Sequence, residues 1–188
     1  MTSSALRLIA PNLITVARLC AVPVTIYLII DGQLAAAFWL FIGAGISDAV
    51  DGFLAKQFHA RTVIGGYLDP LADKALLVSV YVTLGYQGHL AAWLVIMVVF
   101  RDALIVVGVL IGHALGHPFR LRPLMISKVN TGLQIVLAGM ALARLGLGID
   151  VGLVTPLVYL VAVSTFASGA AYVIQGLRGA ARLEGAQR

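Results

Sequence analysis

The chain has 188 residues, of which 61% are hydrophobic and 11% charged, with a net charge of +5 and a mean hydropathy of +1.00. A soluble domain carries about 25% charged residues, so this composition excludes one and selects an integral membrane protein. Apolar runs far longer than about ten residues, without alternation, exclude a β-barrel; no basic stripe interleaved with aromatics marks a nucleic-acid surface, and the positive balance reads as attraction to anionic lipid headgroups.

Six stretches reach the roughly 20 apolar residues that a spanning helix requires. The first runs from Ile9 to Ile30, behind a short interfacial segment, residues 1–8, that Ser3 or Ser4 can cap. Its length, the interruption at Arg18 and the lack of a small-residue cleavage site predict a retained span rather than a secretory signal. It holds the single cysteine, Cys20, which rules out an intrachain disulfide and fits packing. After Asp31-Gly32 comes the second span, Leu34 to Ala55, then a loop, Gln57 to Thr62, in which His59 is expected to be solvated. The third span, Tyr67 to Tyr86, ends at Gln87-Gly88-His89, and the fourth, Leu90 to Leu115, ends at Gly116-His117-Pro118. The fifth, Leu124 to Ala143, and the sixth, Val151 to Ile174, flank a break from Gly146 to Asp150. The expected fold is an all-α integral membrane protein with six transmembrane helices in one bundle, a single domain over residues 1–188.

Cytoplasmic flanks carry the excess of Lys and Arg. Arg7, Lys56, Arg61, Arg120, Arg122, Arg178, Arg182 and Arg188 all fall on one side of a six-span arrangement, and Arg144 falls opposite. Both termini are therefore expected to be cytoplasmic, with the loop after the second span on the same side.

Four of the eight acidic residues lie close together in the runs Asp48-Ala-Val-Asp51-Gly52-Phe-Leu-Ala55-Lys56 and Gly65-Gly66-Tyr-Leu-Asp69-Pro-Leu-Ala-Asp73. Positions three or four apart share a helical face. Asp48, Asp51, Gly52 and Ala55 thus line one stripe of the second span, and Gly65, Asp69 and Asp73 line one of the third. A short link makes these helices antiparallel neighbours, which lets the stripes face each other just inside the cytoplasmic surface. Clustered carboxylates in a bilayer require compensating charge, and an all-oxygen donor set selects Mg²⁺, Mn²⁺ or Ca²⁺ over zinc. A carboxylate cage with open positions suits two metal ions clamping phosphate oxygens. The glycines between the acids leave room for a ligand, although each taken alone is equally a helix-packing residue.

The run resembles the signature of the CDP-alcohol phosphotransferases: Asp-x-x-Asp-Gly-x-x-Ala-Arg, eight or nine residues, then Gly-x-x-x-Asp-x-x-x-Asp. The spacer here is the eight residues Gln57 to Ile64, and each defined position agrees except Lys56, which stands where the signature has arginine. Weaker likenesses lie in Pro11-Asn12-Leu-Ile-Thr15-Val-Ala-Arg18, in Phe100-Arg101-Asp102 and in Ser127-Lys128-Val-Asn130-Thr131.

The resemblance implies transfer of a phosphatidyl group from CDP-diacylglycerol to an acceptor hydroxyl, with CMP leaving, and a phospholipid-synthesising homodimer that uses Mg²⁺ or Mn²⁺ as two divalent ions. It implies that Asp48, Asp51, Asp69 and Asp73 hold the metals, that Asp73 is also the general base, and that Asp48, Gly52, Ala55, Lys56, Arg61, Gly65, Gly66 and Asp69 meet the CDP donor. Lys56 keeps the charge of the expected arginine but loses its bidentate fork; Arg61 is placed to take part of that role.

The acceptor depends on other charges in the spans. Arg101 and Lys128, with Asn130 and the loop residues Arg120 and Arg122, are the candidate acceptor-binding set; Arg101 and Asp102 serve equally as internal neutralisers, and the two loop arginines equally as interfacial anchors. Relatives that use glycerol 3-phosphate often carry a second lysine where this chain has Asn130. The two short runs look closer to the cardiolipin synthases of the family, whose acceptor is phosphatidylglycerol, and that acceptor is preferred here over glycerol 3-phosphate. A cation-coupled transporter is the rival from another class, but its expected internal repeat, with a second acidic cluster or broken helix, is missing. A silent scaffold is the other: Gly108 and Gly112 form a small-xxx-small pair, yet the intact aspartate set argues against it.

Overall fold

A computed structural model describes the backbone of residues 3–58, 65–114, 125–150 and 152–186, and side chains at 16–47, 72, 74–108, 110, 125–150 and 152–177. Within these residues every regular element is a helix: α1 (Ser3–Ile30), α2 (Leu34–Phe58), α3 (Gly65–Tyr86), α4 (Ala92–Ala114), α5 (Met125–Leu147) and α6 (Val154–Ala186). The six expected segments are all present, but several run past their apolar stretch. The first is already formed at Ser3, so the N-terminal residues continue α1 rather than making a separate interfacial helix, and the last extends to Ala186. Among the described residues two helical stretches, Met125–Leu147 and Val154–Leu177, are long and apolar enough to cross a membrane; Val16–Ile30, Leu34–Ser47 and Lys74–Tyr86 are shorter apolar stretches.

Helix ends fall at the glycines expected from sequence. Gly32 adopts φ +77° and Gly88 φ +78°, the left-handed conformation that a Cβ penalises. At α1 the Gln33 amide reaches back to the Leu28 carbonyl at 2.8 Å and the Gly32 amide to that of Ile29 at 3.2 Å; His89 to Leu84 (2.8 Å) and Gly88 to Gly85 (3.1 Å) repeat this at α3. These paired bonds are the Schellman arrangement, which satisfies the last carbonyls of each helix. Hydroxyls inside apolar helices are satisfied in the same local way: Thr25 donates to the Ala21 carbonyl (2.7 Å), Ser47 to Gly43 (2.8 Å) and Thr83 to Ser79 (2.7 Å).

The chain divides into two compact units, one of Met1–Leu90 with Ala138–Val151, the other of Ala91–Leu137 with Gly152–Arg188. In the first, α1 packs along both α2 and α3. The buried stripe of α3 is Ala72, Leu76, Leu77, Val80, Tyr81 and Leu84, and that of α2 includes Ala37 and Phe41, both on helical spacing. The end of α5 belongs to this unit: Gly139 lies against Phe41 and Ile42, and Gly146 against the backbone of Leu34 and Ala35. Beyond it Arg144 pairs with Asp150 at 3.1 Å, half exposed, so this pair adds at most about 1 kcal/mol.

A Cβ on Gly146 would stand 2.5 Å from backbone atoms of Leu34 and Ala35, whereas one on Gly139 would meet only side-chain atoms at 3.9–4.0 Å. Gly146→Ala is therefore expected to destabilise the fold by about 1–3 kcal/mol, the usual cost of forced overpacking, and Gly139→Ala to be neutral. Thermal unfolding of the purified variants in detergent checks this. A melting temperature for Gly146→Ala equal to that of Gly139→Ala would contradict the close approach.

In the second unit α4 packs on α6. Its interior changes character along the helices. Leu94, Val98, Leu137 and Val161 make an apolar stretch, and Arg101, Asn130, Gln134, Thr165 and Ser168 a polar one, all buried.

Candidate active site

Asp48, Asp51, Gly52, Ala55 and Lys56 lie on the last turns of α2, and Gly65, Gly66, Asp69 and Asp73 on the first turns of α3. Their side chains lie outside the described set, as do Arg61 and His59 in the link between the helices and Arg120 and Arg122 before α5. Helical register still places the acids. Steps of four and three residues lead from Ala37 and Phe41 through Ala44 to Asp48, Asp51 and Ala55; the same steps lead back from Leu84, Val80 and Leu77 to Asp73 and Asp69. Ala37, Phe41, Leu77, Val80 and Leu84 are buried in the first unit. The aspartates fall at those register positions of their helices, and α1 is the neighbour common to both helices.

Two further charges lie near these turns. Arg18 on α1 is 5% exposed, and Lys74 follows Asp73 on α3, partly buried. Among the described residues there is no group of three or more His, Cys, Asp and Glu side chains able to hold a metal. The expected donor set, the two aspartate pairs, is all-oxygen, a chemistry that suits Mg²⁺ or Mn²⁺ and disfavours zinc.

The candidate acceptor residues of the second unit are described in full. Arg101 is 3% exposed and sits at the centre of a clasp joining α4, α5 and α6. Its Nε donates to Ser168 Oγ (3.2 Å), its Nη2 to Ser168 Oγ (2.6 Å) and Ser127 Oγ (2.5 Å), and its Nη1 to Asp102 Oδ1 (2.7 Å). The guanidinium carbon also stands 5.8 Å from the centre of the Tyr172 ring, within cation–π range. Neighbouring residues on a helix diverge by about 100°, but the arginine is long enough to curl back to Asp102, so the two form a direct ion pair. A guanidinium has five N–H groups. Four bonds are made inside the protein, which leaves one Nη1–H for any acceptor.

Asn130, one turn beyond Ser127 on α5, is fully buried. Its Oδ1 accepts from Ser164 Oγ (2.7 Å) and Thr165 Oγ1 (2.9 Å), while its Nδ2 has no hydrogen-bond partner. The two hydroxyls anchor the amide, and its Nδ2 is left without a partner among the described residues, which costs free energy in a buried donor. Lys128, by contrast, is exposed.

Ser164, Thr165, Ser168 and Tyr172 were not singled out by sequence. Their signal was present, since 165, 168 and 172 share one helical stripe, but isolated hydroxyls are common in apolar helices and gain meaning only when their partners are seen.

Comparison with known proteins gives the family. The sequence model of the CDP-alcohol phosphatidyltransferase family matches residues 8–171. The chain belongs to that family. It is 37% identical to a cardiolipin synthase (CMP-forming)/mitochondrial hydrolase fusion protein of Schizosaccharomyces pombe, over 87% of this chain and 30% of that protein. It is 36% identical to the chloroplastic CDP-diacylglycerol–glycerol-3-phosphate 3-phosphatidyltransferase 1 of Oryza sativa subsp. japonica, over 88% of this chain and 56% of the relative. Human cardiolipin synthase (CMP-forming) is 35% identical over 71% of this chain and 50% of its own length. The matched region thus spans about half the length of these relatives, or less. The family match over residues 8–171 includes both aspartate pairs, Arg101 and Asn130.

Proposed function

We propose that this member of the family transfers a phosphatidyl group from CDP-diacylglycerol to the hydroxyl of phosphatidylglycerol, releasing CMP and forming cardiolipin. The observation that carries the reading is the pair of aspartate runs, spaced as in the family signature, on the last turns of α2 and the first turns of α3 within the region the family model matches. The names of the relatives from Schizosaccharomyces pombe and human support this acceptor. The rice relative's name supports a second reading, glycerol 3-phosphate as acceptor.

Asp48, Asp51, Asp69 and Asp73 would hold two divalent ions, Mg²⁺ or Mn²⁺. Bound there, the ions supply charge neutralisation of the diphosphate and of the departing CMP phosphate. Gly52, Ala55, Gly65 and Gly66 leave space for the cytidine diphosphate, with Lys56 and Arg61 contributing positive charge toward it. Asp73 accepts the proton of the acceptor hydroxyl as the new oxygen–phosphorus bond forms and the bond to CMP breaks. Orienting the two substrates in line supplies much of the remaining acceleration. Lys128, Arg120 and Arg122 meet the acceptor's charge; Asn130 offers its unsatisfied Nδ2, and Arg101 its one remaining N–H.

The same reading places all six helices in a membrane, with both termini and the aspartate site on the cytoplasmic side, the whole of residues 1–188 acting as one domain and two copies forming a dimer. The low burial of the two long apolar windows, 33% and 28%, supports it, since a soluble core helix is mostly buried. So does the exposed Trp93–Tyr159 ring pair, 6.4 Å between centroids, near the starts of α4 and α6, where an aromatic belt would mark the opposite membrane face.

The test incubates purified protein and labelled CDP-diacylglycerol separately with phosphatidylglycerol, glycerol 3-phosphate and inositol phosphate. Cardiolipin from the first alone is the expected outcome. Product from glycerol 3-phosphate alone overturns the acceptor, and absence of CMP release with every acceptor overturns the transferase.

A further inference from the structure

Ser168 of α6 is fully buried, and its hydroxyl meets one side chain twice. It accepts from both Nε (3.2 Å) and Nη2 (2.6 Å) of Arg101. These two groups lie on one edge of the planar guanidinium, an edge suited to the paired oxygens of a carboxylate. Here a neutral oxygen takes it. A neutral partner fixes the plane of the guanidinium without cancelling its charge.

α6 holds this arginine along its length. A Cβ on Gly169 would lie 3.7 Å from Arg101 Cγ, so the aliphatic stem passes beside that glycine. Ser168 takes one edge of the guanidinium, and the Tyr172 ring, one turn further on the same face, stands 5.8 Å from its Cζ. Ser127 of α5 and Asp102 of α4 add one bond each. An arginine loses much rotamer freedom when it is held in one pose. Here that loss is taken on folding, so a ligand that meets the remaining Nη1–H does not have to supply it. The same helix orients a second group: Ser164 and Thr165, about one turn before Ser168, hold the Asn130 carboxamide by its oxygen.

We propose that Ser168 is a positioning residue for the acceptor: its hydroxyl locks the Arg101 guanidinium in the plane from which the one remaining Nη1–H meets the acceptor. Ser168 acts only through Arg101 and touches no substrate. The inference rests on the transferase reading and on the acceptor role given there to Arg101, and adds to it the group that aims the arginine.

The test measures initial rates of CMP release in mixed micelles, with each substrate varied in turn. Ser168→Ala is expected to raise KM for phosphatidylglycerol about tenfold, the size of one hydrogen bond to a charged group, while kcat and the KM for CDP-diacylglycerol stay near wild type. Ser168→Thr retains the hydroxyl and is expected to restore the acceptor KM. Thr25→Val removes another fully buried hydroxyl, one that donates to the Ala21 carbonyl of its own helix, and is expected to leave both KM values unchanged. In an Arg101→Lys background Ser168→Ala is expected to add nothing further to the acceptor KM, since the pair acts as a unit. A lower melting temperature follows from a structural and from a positioning role alike, so the split between the two KM values decides. If Ser168→Ala does not accumulate as folded protein, Ser168→Cys, close in volume and a weaker acceptor, is read the same way. An unchanged acceptor KM, an equal rise for both substrates, or the same rise in the Arg101→Lys background overturns the proposal. Failure of the underlying reading looks different. Wild-type protein that releases CMP only with glycerol 3-phosphate overturns the choice of acceptor and moves the KM comparison to that substrate; wild-type protein that releases none with any acceptor overturns the transferase, and the inference falls with it.

Discussion

Asp73→Asn is expected to lower CMP release by roughly 10²–10⁴-fold, the contribution of a positioned general base, while divalent-ion binding is at least partly retained. Asparagine keeps the shape and one oxygen donor of aspartate but cannot accept the acceptor's proton. In the proposed reading Asp73 owes its leverage to position: it lies four residues after Asp69, within the first turns of α3. Asp48→Asn, Asp51→Asn and Asp69→Asn remove charge from the metal cage itself and are expected to abolish turnover together with ion binding. Single-turnover CMP release, measured beside Mn²⁺ affinity, separates the two classes. Asp73→Asn turnover near wild type at saturating metal would contradict the assigned role.

Arg101→Ala is the second large effect, and it acts on the second unit. Removing the guanidinium strips Ser127 and Ser168 of their donor, uncovers the Tyr172 ring and takes from Asp102, whose side chain is 12% exposed, its 2.7 Å ion pair with Arg101. Breaking a buried pair by deleting one member costs about 3–5 kcal/mol, a large fraction of the roughly 5–15 kcal/mol by which a domain is stable. Poor yield and a much lower melting temperature in detergent are the expected results. Arg101→Lys keeps the charge but cannot reach Ser127, Ser168 and Asp102 in one plane, so it is expected to fall between wild type and Arg101→Ala. An Arg101→Ala protein that melts like wild type but no longer responds to acceptor would show that the arginine serves the substrate rather than the clasp.

The helices were legible because this chain keeps its breaks where physics demands them. Gly32 and Gly88 stand at the two Schellman ends, and apolar runs of spanning length lie between such breaks. The boundaries were less legible: backbone hydrogen bonding continues where apolar composition stops, so α1 starts earlier and α6 ends later than their hydrophobic stretches. The aspartate runs stood out because carboxylates are rare in apolar helices and their spacing is that of one face; their side chains lie outside the described residues. The clasp around Arg101 was not. Its partners come from three helices and from hydroxyl residues that give no signal singly, and the curl of Arg101 back onto Asp102 depends on side-chain length rather than helical phase. Asn130 was noticed as the position where relatives carry lysine; that its amide is locked by Ser164 and Thr165 required coordinates.

The central claim is that four carboxylates on α2 and α3 gather divalent ions. Titration of the purified protein with Mn²⁺, followed by the loss of the free-ion signal in electron paramagnetic resonance, measures this without any substrate. Two ions per chain are predicted for wild type, with binding lost in Asp48→Asn and Asp69→Asn. Wild-type protein that binds none, or variants that bind as wild type does, would contradict it.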